Sequence, residues 1–127
     1  MQIIIILFLC YFLTGCVTID SVKKDLQKVD YSDGVDEKEA VAIARMSLIN
    51  SKLNGSYQLW TATTYNFSGY WKVVFLSLYY KNDCILVIEK STGDILAFFE
   101  PETDEEKAIG SNPAYSVEDW KRLGKFD

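Results

Sequence analysis

The chain opens on eleven consecutive apolar or aromatic residues, Ile3 to Leu13, and then changes character. That run is too short to cross a hydrocarbon core as a helix, which takes about 20 residues. From Thr18 to Asp36 the sequence is polar, with Val22, Leu26 and Val29 recurring at i, i+4 and i+7. Those positions permit a short helix, but the mixture of acids and lysines reads first as a solvated, mobile tether. A helix is predicted next, from Asp36 to Leu53. Asp36 is placed to cap it, with Glu39 three residues later as in a capping box. Ala40, Ile43, Ala44, Ser47 and Leu48 then fall on one face, flanked by Val41 and Ile49. Asn54-Gly55 supplies a left-handed stop.

Beyond Gly55 the period changes from helical to alternating. Tyr57 to Tyr65 is rich in Thr and aromatics and predicts a strand, followed by a turn at Asn66-Phe67-Ser68-Gly69. Tyr70 to Tyr80 predicts a long strand. Trp71, Val73, Phe75, Ser77 and Tyr79 point one way; Lys72, Val74, Leu76, Leu78 and Tyr80 point the other. Lys81-Asn82-Asp83 turns the chain, Cys84 to Lys90 returns, Ser91-Thr92-Gly93-Asp94 turns it again, and Ile95 to Phe99 closes the run. Such short turns imply an antiparallel meander. Both faces of Val73 to Leu78 are largely apolar, so one must meet the helix and the other needs the C-terminal segment or a partner over it. Glu100 to Lys107 reads as an acidic loop. Ser116, with Asp119 three residues on, starts a short last helix carrying Trp120 and Leu123 and ending at Gly124.

The apolar run ends at Leu13-Thr14-Gly15-Cys16. The order Leu, small, small, Cys resembles the lipobox of bacterial lipoproteins, with the run before it as the hydrophobic core of a secretory signal. The resemblance covers residues 1–16. It implies cleavage between Gly15 and Cys16 and lipidation of Cys16, with several acyl chains anchoring the protein firmly where one would anchor it marginally. Two features qualify the match. Met1-Gln2 lacks the usual positive charge, and a run extended through Ile19 would make an uncleaved anchor, interrupted by Thr14, Gly15 and Thr18. Val17 stands where Asp favours inner-membrane retention in enterobacterial lipoproteins, which points to the outer membrane where a cell has one.

The signal segment carries no charge, so the net charge of −5 belongs to the mature part. An acidic domain argues against nucleic acid as a partner and against electrostatic adsorption to anionic lipid. Contact with the membrane is therefore assigned to the lipid on Cys16. Of the three cysteines only Cys84 remains unmodified after processing, which rules out an intrachain disulfide. Cys84 heads an apolar strand and reads as a small buried hydrophobe, with a reactive thiol as the alternative. The chain has no His, which removes the commonest general base and most transition-metal sites. Asp104-Glu105-Glu106 and Glu118-Asp119 lack the alternate spacing and Gly turn of a calcium loop. Ser91 has no nucleophile-elbow context, no phosphate-binding glycine loop is present, and nothing singles out Glu89 or Glu100 as an acid or base.

Residues 36–99 resemble the PepSY-like domains of secreted and membrane-anchored bacterial proteins. Asp36 to Ala44 is similar to their opening helix, an acidic start followed by Ala-x-x-Ile-Ala. Tyr70-Trp71-Lys72-Val73-Val74-Phe75 is similar to their aromatic-x-Val strand, and Val87 to Leu96, with its Thr-Gly-Asp turn, to their closing hairpin. The resemblance implies a non-enzymatic role, binding or inhibiting an envelope protein, often a peptidase. It carries no catalytic residues. Immunity-type lipoproteins with an NTF2-like fold have a similar last hairpin and stay open as an alternative, as does a structural envelope lipoprotein with no discrete ligand.

The expectation is thus an α+β domain: one main helix packed on a small antiparallel sheet of three to four strands, with a short C-terminal helix. Residues 1–15 are the signal peptide, 16–35 the lipidated N-terminus and tether, 36–100 the PepSY-like domain, and 101–127 the acidic loop and last helix. No cofactor is expected, and the protein is expected to bind a partner in the bacterial envelope without catalysis. Tyr57, Trp60, Tyr65, Tyr70, Tyr79, Tyr80 and Tyr115 exceed what one small core needs; most are expected to pack in the core or on the sheet edge, and those left exposed are candidates for binding, since Tyr and Trp are favoured at hot spots. Among them Tyr79 and Tyr80, at the end of the longest strand, are the expected partner contacts.

Overall fold

The computed structural model describes residues 17–78, 83–111 and 115–124. The fold is α+β, a four-stranded antiparallel sheet with helices on both faces. The strands are β1 (Thr63–Phe67), β2 (Tyr70–Phe75), β3 (Cys84–Glu89) and β4 (Ile95–Phe99), in the spatial order β1-β2-β3-β4. Helices α1 (Ile19–Gln27) and α2 (Glu37–Ile49) precede the sheet; α3 (Asp104–Ser111) and α4 (Val117–Leu123) follow it.

Each helix start is set by local chemistry. The Asp36 side chain accepts from the Glu39 amide at 2.8 Å and Glu39 accepts from the Asp36 amide at 3.1 Å. Ser116 and Asp119 repeat the reciprocal pair at α4, whose stop is Gly124 at φ 56°. The first helical stretch departs from the tether reading. Thr18 and Ser21 form a capping box that starts α1, and α1 lies against α2. Val22 is fully buried and Leu26 and Val29 pack on the core, so this apolar stripe has a surface to cover and holds the segment helical. The acidic loop is likewise replaced by α3 from Asp104 on. The Thr103 hydroxyl accepts from the Glu106 amide at 3.1 Å, and three acids fill the first turn, where the helix dipole favours them.

Several boundaries also move. Helix α2 ends at Ile49, short of Leu53, because the Ser51 amide and hydroxyl both donate to the Leu48 carbonyl. The strand expected over Tyr57 to Tyr65 is broken by a 3-10 turn at Leu59–Thr61, where the Thr61 hydroxyl donates to the Gln58 carbonyl at 2.6 Å. What remains is a bridge from Tyr57 to Ser77, and then β1. Strand β1 runs on through Asn66 and Phe67, leaving Ser68-Gly69 as the turn, and β2 stops at Phe75.

Alternation along the strands divides the core in two. Val73, Phe75, Cys84, Leu86, Ile88 and Phe98 face α2, against Ala40, Ile43, Ala44 and Leu48. On the other face Tyr70, Ile85, Val87 and Phe99 meet Ile109 of α3 and Trp120 of α4. A register shift between Val87 and Ile88 places one extra β4 residue in the pairing, so Leu96 and Ala97 both join this second cluster. All six residues of β3 are buried. Gly110 allows α3 its close approach: a Cβ there would lie 2.6 Å from the Ile85 Cδ1. On the α2 side the chain crosses the β3–β4 turn, where a Cβ on Gly93 would lie 2.5 Å from the Tyr31 ring. The C-terminal segment thus covers the second sheet face, one of the two covers that the β2 pattern requires.

Trp120→Ala should lower the unfolding free energy by about 3–5 kcal/mol, the range for removing a buried aromatic side chain. Val22→Ala, in α1 on the α2 side, should cost about 2 kcal/mol through two lost methyls and the space they leave. Urea melts followed by circular dichroism read both. A near-neutral Val22→Ala would mean that α1 is not part of the folded unit.

Candidate binding surface

Burial of Tyr57 and Ser77 across their bridge turns Leu76 and Leu78 outward. The Gln58 amide donates to the Leu76 carbonyl at 2.9 Å and the Leu78 amide to the Ser56 carbonyl at 3.0 Å. Leu76 and Leu78 are 45% and 44% exposed, and continue the alternation of Lys72 and Val74 on the face that α3 covers only in part. The Leu76 amide donates to the Thr61 hydroxyl, which sets this stripe beside the 3-10 turn that carries Trp60, 64% exposed. Tyr65 of edge strand β1 is 46% exposed.

Between α3 and strands β1 and β2 lies a groove of about 400 Å³. Tyr65, Lys72, Val74 and Ile85 come from the sheet, and Lys107 and Gly110 from α3. The Lys72 ammonium donates to the Gly110 carbonyl at 2.7 Å, in the last turn of α3, where the helix dipole favours a cation. It also sits 4.8 Å from the centre of the Tyr65 ring and 5.7 Å from that of Phe67. Loss of solvent pushes its pKa below the ordinary lysine value.

A second groove, of about 570 Å³, lies between the end of α1, the Tyr31–Asp33 turn and the start of α2. It is strongly acidic, but its acids already serve the chain. Asp36 and Glu39 cap α2, and Glu39 also accepts from the Asp30 amide at 2.7 Å. Asp30 accepts from the Ser32 hydroxyl and amide, which hold its carboxyl below the usual range. Glu37 accepts from the Thr64 hydroxyl at 2.8 Å. Arg45, partly buried here, donates through Nε to the Leu59 carbonyl.

Gly15, Cys16, Tyr79 and Tyr80 lie outside the described residues. Of the other aromatics in excess of a small core, Trp60 and Tyr65 are exposed, whereas Tyr57 and Tyr70 are core. The Tyr70 hydroxyl donates to the Tyr115 carbonyl at 2.9 Å, and its ring meets Trp120 edge-on. The Tyr57 hydroxyl donates to the Glu100 carboxylate. Both phenols therefore bury a ring while their oxygens find partners. Cys84 is fully buried on the α2 side. Glu89 is held by Lys121 at 3.3 Å and accepts from the Thr92 hydroxyl, tying α4 to the last hairpin. Among the described residues no three His, Cys, Asp or Glu side chains are grouped to hold a metal ion, and no helix is long and apolar enough to cross a membrane. The sequence pattern places Lys72, Leu76 and Leu78 on the face that needs a cover; that Leu76 and Leu78 stay exposed was not legible there.

Comparison with protein-family models, with curated proteins and with solved structures finds no match for this chain.

Burial, and then the Glu100 carboxylate, push the Tyr57 phenol well above its ordinary value of 10.0. The folded state therefore keeps this proton where the unfolded chain loses it. The resulting stability is complete below the unfolded value of about 10 and falls as pH rises past it. In an alkaline absorbance titration the last phenol should ionise together with unfolding, and Tyr57→Phe should remove that coupling. Free ionisation of every phenol near pH 10 with the fold intact would contradict the burial of Tyr57.

Proposed function

We propose that this protein is a lipid-anchored component of the bacterial envelope that acts by binding a protein partner and not by catalysis. The observation that carries the binding reading is the exposed pair Leu76 and Leu78 in a small acidic domain, leading directly into Tyr79-Tyr80. Large apolar side chains adjacent along one strand face are what protein interfaces bury at their centres. The lipobox-like Leu13-Thr14-Gly15-Cys16 supports the anchor, with the outer membrane as the favoured location. The PepSY-like pattern over residues 36–99 supports an inhibitory or scaffolding role, with a peptidase as the kind of partner it implies. With Cys16 as the lipid attachment and α1 starting at Ile19, only Val17 and Thr18 separate lipid from fold, so the domain works close against the bilayer.

Two experiments test this reading. Cys16→Ala should leave an unprocessed precursor that no longer incorporates labelled fatty acid; unchanged labelling would remove the anchor. Photo-crosslinking from positions 76 and 78 in intact cells should trap one stoichiometric envelope protein. Leu76→Asp with Leu78→Asp, or Tyr79→Ala with Tyr80→Ala, should each weaken its capture by more than ~1 kcal/mol if those residues are hot spots, with circular dichroism unchanged. Absence of any specific adduct would leave a structural lipoprotein as the better description. Turnover of a peptide, glycan or ester by the purified protein, abolished by one carboxylate substitution, would overturn the non-enzyme reading.

A further inference from the structure

Lys72 is a half-buried cation with no carboxylate paired to it among the described residues. Its ammonium has three protons to donate, and the Gly110 carbonyl takes one. The ring contacts of Tyr65 and Phe67 supply attraction but no charge, and no carboxylate pairs with it among the described residues. Partly burying a charge without a counter-charge is costly, and a ligand anion would lower that cost. Lys107 lines the same groove and makes no side-chain hydrogen bond or ion pair among the described residues. Two lysines without a paired carboxylate thus line one groove in a protein whose net charge is −5. Among the described residues Asp83 is the one acid lining the groove, and it lies at the far end: Lys72 pairs with Val87 and Val74 with Ile85, so Asp83 falls two residues beyond Ile85.

The walls specify more than charge. Tyr65, Val74 and Ile85 give the groove an apolar lining beside the two cations, the combination of apolar surface and few convergent polar groups that marks binding sites. Strand β1, which forms one wall, is the edge of the sheet, with no strand beyond it among the described residues. An extended chain can therefore lie along this side without displacing any element.

The geometry points to recognition of an acidic side chain, Asp or Glu, flanked by apolar residues in an extended segment of the partner, with Lys72 and Lys107 taking its carboxylate. This assignment rests on the binding reading above and adds the chemistry of what is bound.

The test uses the full chain in uncharged detergent micelles and acetyl-Val-Leu-Glu-Leu-Val-amide as the probe, followed by amide shifts of Tyr65, Val74 and Gly110. Saturable binding is expected, with the isosteric Gln peptide weaker by roughly tenfold or more, the scale of a hydrogen bond to a charged group. Lys72→Gln should abolish that Glu-over-Gln preference. Lys107→Gln should reduce it, and because the Lys107 side chain makes no hydrogen bond or ion pair among the described residues, that variant keeps the test valid if Lys72→Gln unfolds. Equal affinity for the two peptides, or a preference that survives both substitutions, overturns the assignment. So does a Gln peptide with a free C-terminal carboxylate that binds as well as the Glu peptide, since a chain end would then be the ligand. Shifts of the same amides on ending the chain at Gly124 would assign the groove to this chain's own tail and would also overturn it. Should the crosslinked partner still be captured by the Lys72→Gln, Lys107→Gln double variant, the binding reading stands and the groove assignment falls.

Discussion

The structure depends on one constraint: β3 is apolar on both faces and must be covered on both. Its side chains alternate between two clusters, Cys84, Leu86 and Ile88 toward α2, and Ile85 and Val87 toward α3 and α4. A meander with a single helix would leave one of these rows in water, at roughly 1.5–3 kcal/mol for each large apolar side chain. The helices after the sheet are therefore as necessary as the one before it. The close seating of Gly110 on Ile85, the Trp120 ring among Tyr70, Phe99 and Tyr115, and the Lys121–Glu89 ion pair are the means by which they hold.

The uncovered surface follows from the same arrangement. Helix α3 is short and reaches Ile85 and Phe99 but not the segment that follows β2, so Leu76 and Leu78 stay in solvent. The gap between α3 and edge strand β1 becomes the groove, and Lys72 lies in it because its position in β2 has the parity of the second face. On the proposed reading the anchor and the binding surface belong to one short chain. The lipid fixes the domain at the bilayer, and the uncovered end of the sheet is what remains to meet a partner.

Much of the fold was legible because its signals are local. The capping pairs Asp36–Glu39 and Ser116–Asp119, the Gly93 turn and the short apolar runs of β3 and β4 between turns each need only a few neighbouring residues. The elements that were misread depend on distant contacts. Residues 19–27 form a polar segment whose three apolar positions matter only because α2 presents a surface to them. The run from Asp104 reads as a loop until Ile109 is seen to cover the sheet. Which of the many aromatics are core was not legible either: the burial of Tyr57 and Tyr70 goes with partners 43 and 45 residues away, Glu100 and the Tyr115 carbonyl. The groove was not legible for the same reason, since Lys72 and Lys107 line one groove only after α3 folds back over the sheet.

The central claim is that the helices on the two faces belong to one cooperative unit organised by β3. Incorporation of 5-fluorotryptophan gives a reporter on each face within a single unaltered chain. Trp71 lies on the α2 side, where its indole donates to the Val35 carbonyl, and Trp120 lies under α4 on the other. In a urea titration followed by fluorine NMR, the native resonances of Trp71 and Trp120 should disappear with the same midpoint and slope. Loss of the Trp120 resonance at distinctly lower urea, with Trp71 still native, would contradict the account and make the C-terminal helices an appendage.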